Sequence, residues 1–501
     1  MYRRAAVRGA VARSASLVVQ TILGFATTWV IAGVLGTGGM GVVGFLSIIY
    51  SIYLIVIGVG MGTVVAKYIA EYRRDEERYM MVLCGGALFR ATVSIVVFAV
   101  MVAFSEEIAM LGQVGSPDII RFYAFYLLLE GLGSYAASVL WGLGFLDYMS
   151  LYMVAANIVR SSLVIAFVLQ GFGVMGILYG WIIGSALYFT LCSKKGASEL
   201  AKAVKGLFRY GPRGVKFILP LSAVVLFSGG LGQVIRFFDS ALVLALYGRD
   251  ALGVYTVATR IFTLADNVIT GVRSALAPYY SSIVGAGNTE RLRTSFRRAS
   301  KILSLLLAPT LLALAGAAPA AIPLLFGEDF AMSGVVLMIF LATLGLISAG
   351  AAFGGLFTVL EWKKEIVFVD VSKGVLTVVF EAVLCFFGSL GIALGRCLGR
   401  IYNFVVRYAL LNKKGALSFD YRAFKIGIGM GALGFLMTLA LGYLNRLLCV
   451  AGLAASFAMY LAVVREGRLL EGGDVELIEL IVKGRFINVV RRVLLKEREA
   501  S

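Results

Sequence analysis

The chain contains no histidine among its 501 residues, and only 5 cysteines and 7 prolines. Without histidine it lacks the commonest general base, the commonest metal ligand and any imidazole proton relay. Cys84, Cys192, Cys385, Cys397 and Cys449 lie in or beside apolar runs, with no close pair and no metal-ligand spacing, so neither a disulfide framework nor a zinc site is expected. No motif for a cofactor is present, and none is expected. Acids are scarce too: 28 Asp and Glu against 46 Lys and Arg, a net charge of +18. Polar surface is scarcest of all. With 60% hydrophobic residues and a mean hydropathy of +0.92, the chain cannot cover itself as a soluble fold must.

What is present instead is apolar runs of membrane-crossing length. The first two, 14–35 and 42–66, exceed the ~20 residues that cross a ~30 Å hydrocarbon core and contain no ionised side chain. Arg3, Arg4, Arg8 and Arg13 precede the first, which is too long for a signal-peptide core and reads as an uncleaved helix. Apolar runs between charged and Gly/Pro punctuation predict about fourteen spans: 14–35, 42–66, 80–104, 119–144, 148–170, 174–192, 217–247, 254–283, 302–321, 333–360, 366–388, 391–411, 426–444 and 447–464. The fold expected is therefore all-α and integral to the membrane, with no room for a catalytic domain outside it.

Placement explains the basicity. With the N-terminus inside, about 34 Lys and Arg fall in cytoplasmic segments and about 2, Arg249 and Arg446, in outer loops. The charge thus marks orientation, and nucleic acid is not an expected partner. Residues 193–216, with Lys194, Lys195, Lys202, Lys205, Arg209, Arg213 and Lys216 around Leu200, Val204, Leu207 and Phe208, read as a basic amphipathic helix on the inner leaflet. Val475 to Leu495 reads as a loosely docked interfacial helix, so truncation after Val464 is expected to leave folding intact.

The chain also repeats itself. Gly36-Thr-Gly-Gly-Met-Gly41-Val-Val matches Gly248-Arg-Asp-Ala-Leu-Gly253-Val-Tyr, 212 residues on, and Phe172-Gly-Val-Met-Gly-Ile-Leu-Tyr-Gly180 matches Phe387-Gly-Ser-Leu-Gly-Ile-Ala-Leu-Gly395, 215 residues on. Two motifs at nearly one offset imply two parallel six-helix lobes related by an axis along the membrane normal. The predicted organisation is an N-lobe over 1–192, the linker 193–216, a C-lobe over 217–411, two further helices within 412–464 and a cytoplasmic tail over 465–501.

Ten basic residues fall inside the predicted spans: Arg90, Arg121, Arg160, Arg236, Arg260, Arg273, Lys373, Arg396, Arg400 and Arg407. Only five acids join them: Glu130, Asp239, Asp266, Asp370 and Glu381. At roughly 2.5 to 3.5 kcal/mol per charge on insertion scales, they cannot be left in lipid. Arg396, Arg400, Asn403 and Arg407 form one helical stripe; Asp370, Lys373, Thr377 and Glu381 form another; Arg260, Thr263, Asn267, Thr270 and Ser274 form a third. The bland alternative is ion pairs stapling helices together, with Arg121 and Arg407 snorkelling to the interface. Pairing neutralises at most five cations, however, and the excess calls for an anion held between the lobes. Arginine suits phosphate, because its planar fork donates two parallel hydrogen bonds and stays charged when desolvated.

Pro220 after the basic linker, Asp239 deep in its helix, Gly248 with Gly253-Val-Tyr255, Pro278-Tyr279 and Phe326-Gly-Glu-Asp-Phe330 follow one another over some 110 residues. In this order they resemble the polysaccharide-exporter, Wzx-type branch of the multidrug/oligosaccharidyl-lipid/polysaccharide (MOP) flippase superfamily. The resemblance implies a V-shaped, MATE-like transporter, not an enzyme. It would move a lipid-diphosphate-linked oligosaccharide to the outer leaflet of the cytoplasmic membrane by alternating access, driven by a coupling cation, H+ or Na+. The chain is expected to act as a monomer among membrane lipids, with both termini cytoplasmic. Arg236 and Arg260, with Arg90, Arg160, Arg396 and Arg400, are the expected diphosphate ligands, and Asp239, Asp266, Asp370, Glu381 and Lys373 the candidates for ion coupling. A lipid II flippase, a multidrug exporter, whose organic cations a cavity with excess arginine would repel, and a membrane glycosyltransferase using Glu106-Glu107 or Glu328-Asp329 are the competing readings.

Overall fold

In hydrocarbon no water satisfies the backbone, so a segment that crosses it must close its hydrogen bonds on itself, as a helix does. The computed structural model describes residues 2–474 apart from 59, 354, 416–418, 468, 472 and 473, with side chains from residue 20 onward except 224, 227–229 and 289. The expected tail helix, 475–495, lies outside the described residues. In chain order the helices are α1 (Tyr2–Val56), α2 (Met61–Glu71), α3 (Glu76–Ala103), α4 (Ser105–Leu111), α5 (Pro117–Gly142), α6 (Leu146–Leu169), α7 (Gly173–Lys195) and α8 (Ala197–Lys205). There follow α9 (Leu207–Gly285), α10 (Thr289–Phe326), α11 (Ala331–Leu346), α12 (Leu356–Val359), α13 (Lys363–Leu384), α14 (Gly388–Lys413), α15 (Tyr421–Leu444) and α16 (Leu448–Glu466).

Among the described residues, eleven helical stretches are long and apolar enough to cross a bilayer. Three of them, Gln20–Glu71, Gly230–Gly285 and Lys363–Lys413, run 52, 56 and 51 residues, well beyond the ~20 that one crossing needs. Each is interrupted from within, so the eleven count continuous stretches rather than crossings and do not fix the expected fourteen. The predicted loop at Gly36 is a one-residue break: φ 63° and ψ −164° there, against 82° and −176° at Gly248, the same position of the repeated motif. Only glycine enters that region without strain.

Two compact units divide the chain at Thr256 and Val257, beyond the predicted linker. Inside the first, the two copies of the glycine motif touch. A Cβ added at Gly41 would lie 2.2 Å from the Arg249 carbonyl oxygen, and one at Gly253 would lie 2.0 Å from that of Thr37. Gly38 faces Asp250 at 3.2 Å and Gly44 faces Thr256 at 2.3 Å, measured the same way. On α8, Leu200 and Ala203 pack inward while Val204, like Phe208 at the start of α9, stays exposed. Glu199 accepts from Tyr79 (2.8 Å) and Lys202 (2.9 Å). Burial opposes its ionisation, yet these two donors outweigh it and hold the Glu199 carboxyl below the usual carboxylate range.

Glycines also set the helix pairs. Gly176, Gly180 and Gly184 of α7 press on Phe167, Val164 and Arg160 of α6; Gly391, Gly395 and Gly399 of α14 press on Leu384, Glu381 and Thr377 of α13. Small residues every fourth position let helix backbones approach closely, which is how helices associate where lipid is as apolar as they are. In the second unit, α10 and α15 meet in the same manner through Gly316 and Gly427, and Thr438 donates to the Ala313 carbonyl at 3.0 Å.

The predicted helix 333–360 is broken. α11 stops at Leu346, a 3-10 segment covers Ser348–Phe353, and Gly355 takes φ 74° before the short α12. Gly345, Gly350 and Gly355 weaken the helix there, and irregular backbone is tolerated at membrane depth only where it is buried or lines a polar cavity. The segment past Val464 is also more firmly held than expected: Asp474 is 1% exposed and pairs with Lys301 at 2.8 Å, with Leu470 buried beside it.

Candidate functional site: a cationic cavity in the second unit

Beside that break lies a cavity of about 260 Å3 lined by Ile347, Gly350, Phe353 and Gly355, by Arg273 of α9, by Asp370 and Lys373 of α13, and by Arg400, Asn403, Phe404 and Arg407 of α14. The i, i+3, i+7 spacing of Arg400, Asn403 and Arg407 turns all three toward one side of α14, and the glycines on its flank seat it on α13. Arg400 forks onto Asp266, Nη1 to Oδ1 at 3.1 Å and Nη2 to Oδ2 at 3.3 Å, with its guanidinium 4.6 Å from the Phe262 ring centre. Arg407 donates to Asp370 at 2.9 Å, and its Nε is buried without an acceptor.

Arg273 and Lys373 share this environment and, among the described residues, have no hydrogen-bond or ion-pair partner. Four cations thus face two carboxylates, and the surplus of two charges sits where it is poorly hydrated. An anion carrying roughly two negative charges, with oxygens to meet guanidinium forks, is the ligand that balances it.

The expected residues are scattered over several places. Of the six predicted phosphate ligands, Arg400 alone lines this cavity. Arg396 lies over Phe262 and Phe340, at 5.9 and 5.5 Å. Arg236 is exposed and donates to Gln233 at 3.2 Å, and Arg260 is half-buried outside the cavity lining. Arg90 and Arg160 belong to a separate cluster in the first unit, where Arg160 donates to Ser185 (2.8 Å) and Glu130 (3.4 Å). Among the ion-coupling candidates, Asp370 and Lys373 line the cavity and Asp266 is bound to it through Arg400. Asp239 is fully buried and accepts from Ser240 and Tyr255, and Glu381 is fully buried against Gly395. Arg273 was passed over because the stripe running from Arg260 to Ser274 is on another, largely exposed face of the same helix. Arg407, expected to snorkel, is paired within the cavity instead; Asp370 on the partner helix was the available signal.

The polysaccharide biosynthesis protein family matches residues 30–334, more than half of the chain. The chain belongs to that family. No curated protein matches the sequence. Among solved structures, the lipid II flippase MurJ in its inward closed conformation is similar with a TM-score of 0.69 at 16% identity, covering 90% of this chain and 97% of that one. An inward-facing multidrug resistance MATE family transporter of the MOP superfamily is similar with a TM-score of 0.60 at 18% identity, covering 85% and 98%. A MATE in the bent conformation follows at 0.54 and 19%, covering 87% and 97%. The fold of this family member is therefore the helical membrane fold of the MOP transporters.

Proposed function

We propose that the protein is a flippase that carries a lipid-diphosphate-linked oligosaccharide across the cytoplasmic membrane, with the cavity of Arg273, Lys373, Arg400 and Arg407 holding the diphosphate. The observation that carries this reading is the pair of unmatched cations, Arg273 and Lys373, in a cavity whose other two cations already have carboxylates. The likeness to a lipid II flippase and to MATE transporters, and the family's place in polysaccharide biosynthesis, support transport rather than glycosyl transfer.

The ion pairs supply a route to coupling. A diphosphate competes with Asp266 and Asp370 for the forks of Arg400 and Arg407. A carboxylate freed from its arginine in a desolvated cavity can take up a cation, H+ or Na+, and one held by its arginine cannot, so ion and substrate binding are linked through the same forks. The expected topology, with both termini and 193–216 on the cytoplasmic side, the lobes 1–192 and 217–411, and action as a monomer, belong to the same proposal.

A lipid II-type flippase is the second reading, favoured by the MurJ likeness; it uses the same diphosphate and differs in the glycan. The test is transport of a fluorescent lipid-diphosphate glycan into reconstituted vesicles by Arg273→Gln/Lys373→Gln. Loss on the order of a hundredfold is expected, with normal insertion. Undiminished transport would overturn the assignment of the cavity.

A further inference from the structure

The first unit holds two guanidinium groups whose donors the fold leaves over. Arg90 of α3 is 8% exposed and, among the described residues, has neither a hydrogen bond nor an ion pair; only the hydroxyls of Tyr50 and Tyr53 lie within electrostatic reach. Arg160 of α6 gives one nitrogen to Glu130 and Ser185, but its Nε is buried with no acceptor. A buried donor without an acceptor is costly, and a fold that keeps Arg160 Nε so, with the unpaired Arg90 in the same neighbourhood, is organised for an acceptor it does not contain.

The neighbourhood is aromatic. Tyr126 lies 5.8 Å from the Arg160 guanidinium and 5.5 Å from the Trp181 ring, and Trp181 stands one turn from Ser185 on α7. Tyr50 and Tyr53 are each within electrostatic reach of Glu130 as well. Aromatic faces suit the C–H faces of sugar rings, and a carboxylate with guanidinium forks suits their hydroxyls. Two guanidinium groups against one carboxylate leave a single positive charge, half the surplus in the second unit's cavity.

We infer that this cluster is a saccharide subsite for a sugar bearing a carboxylate, so that the exported glycan contains a uronic-acid-type residue whose carboxylate takes the Arg90 fork and the Arg160 Nε. The inference rests on the transporter reading above and names its substrate class.

Its test is binding of D-glucuronate, its methyl ester and inorganic pyrophosphate to the full chain in lipid nanodiscs, followed by calorimetry. The acid should bind at least about tenfold more tightly than the uncharged ester. Arg90→Gln should erase that preference while leaving pyrophosphate affinity unchanged, and Arg400→Gln should do the reverse. Loss of the second pattern alone sinks the phosphate assignment and spares the sugar. Equal affinity for acid and ester, or displacement of glucuronate by an equal concentration of chloride or phosphate, overturns the sugar subsite. Should Arg90→Gln fail to assemble, the comparison of acid with ester on the unaltered protein decides, and Arg90→Lys, which keeps the charge and loses the fork, should retain part of the preference.

Discussion

Counted from their glycines, the α6–α7 and α13–α14 hairpins set Trp181, Ser185, Tyr188 and Cys192 where Arg396, Arg400, Asn403 and Arg407 stand. On the facing helices, Met153 and Ala156 correspond to Asp370 and Lys373. The packing is one solution used twice, with Gly180 against Val164 and Gly395 against Glu381. The chemistry is opposite: aromatic and nearly neutral in one copy, ionic in the other. The lesson is that the glycine ladder carries the assembly of each hairpin, which leaves the side chains beyond it free to be chosen for ligands.

The sharpest way to break the comparison is to move a residue across it. Arg400→Ser installs the first hairpin's residue in the second. It should lower transport on the order of a hundredfold and, by leaving Asp266 without its fork, cost ~2 kcal/mol after allowing for the pair's partial exposure. Adding Asp266→Asn should recover the melting temperature without recovering transport. A single variant that transports normally would make the arginine a staple.

Next in size is the ladder itself. Alanine at Gly395 puts a Cβ 2.5 Å from the backbone nitrogen of Glu381, whereas at Gly180 it meets a methyl of Val164 at 2.5 Å and the backbone nitrogen less closely, at 2.8 Å. Thermal unfolding in detergent should show losses of about 3 and about 2 kcal/mol respectively. Equal losses would mean that the two hairpins close by the same kind of contact.

A smaller effect is expected at the end of the second unit, which has an anchor absent from the first. Truncation after Val464 removes Asp474 and Glu471 from Lys301, at 2.8 and 3.4 Å. It should destabilise by ~1–2 kcal/mol, while truncation after Asp474 costs nothing measurable. Identical melting curves for the two truncations would show the anchor to be idle.

The smallest effect lies outside both hairpins, at Glu199. Its folded carboxyl titrates below the unfolded value of ~4.3, so its contribution is present above that pH and is lost as pH falls through the folded pKa. Glu199→Gln should flatten the stability profile only below about pH 4. A change confined to neutral pH would contradict the proposed pairing with Lys202 and Tyr79.

Much of this was legible in the sequence because the membrane enforces it. Apolar length, glycine spacing and the excess of ten cations over five acids are properties of runs, and runs survive without coordinates. The repeat was readable for the same reason, and the matching backbone at Gly36 and Gly248 gives it physical content. Which charges meet was not readable. Asp266 and Arg273 are interleaved with a stripe of Thr263, Asn267 and Thr270 that looks more like a binding face than they do. The break after Leu346 hid inside a run of high hydropathy, since small residues do not lower an average. The aromatic cluster of Tyr50, Tyr126 and Trp181 comes from three separate segments, and nothing local links them.

Where copy meets copy, each is fitted to the other. Gly38 faces Asp250 and Gly44 faces Thr256, each its own counterpart 212 residues away, and the Gly41 to Arg249 contact is returned as Gly253 to Thr37. Such reciprocal contact is the signature of a symmetric pair, in which one change is felt on both sides of the seam. Each hairpin instead closes on its own partner helix, and the same glycine spacing carries an aromatic wall in one half and a cationic one in the other.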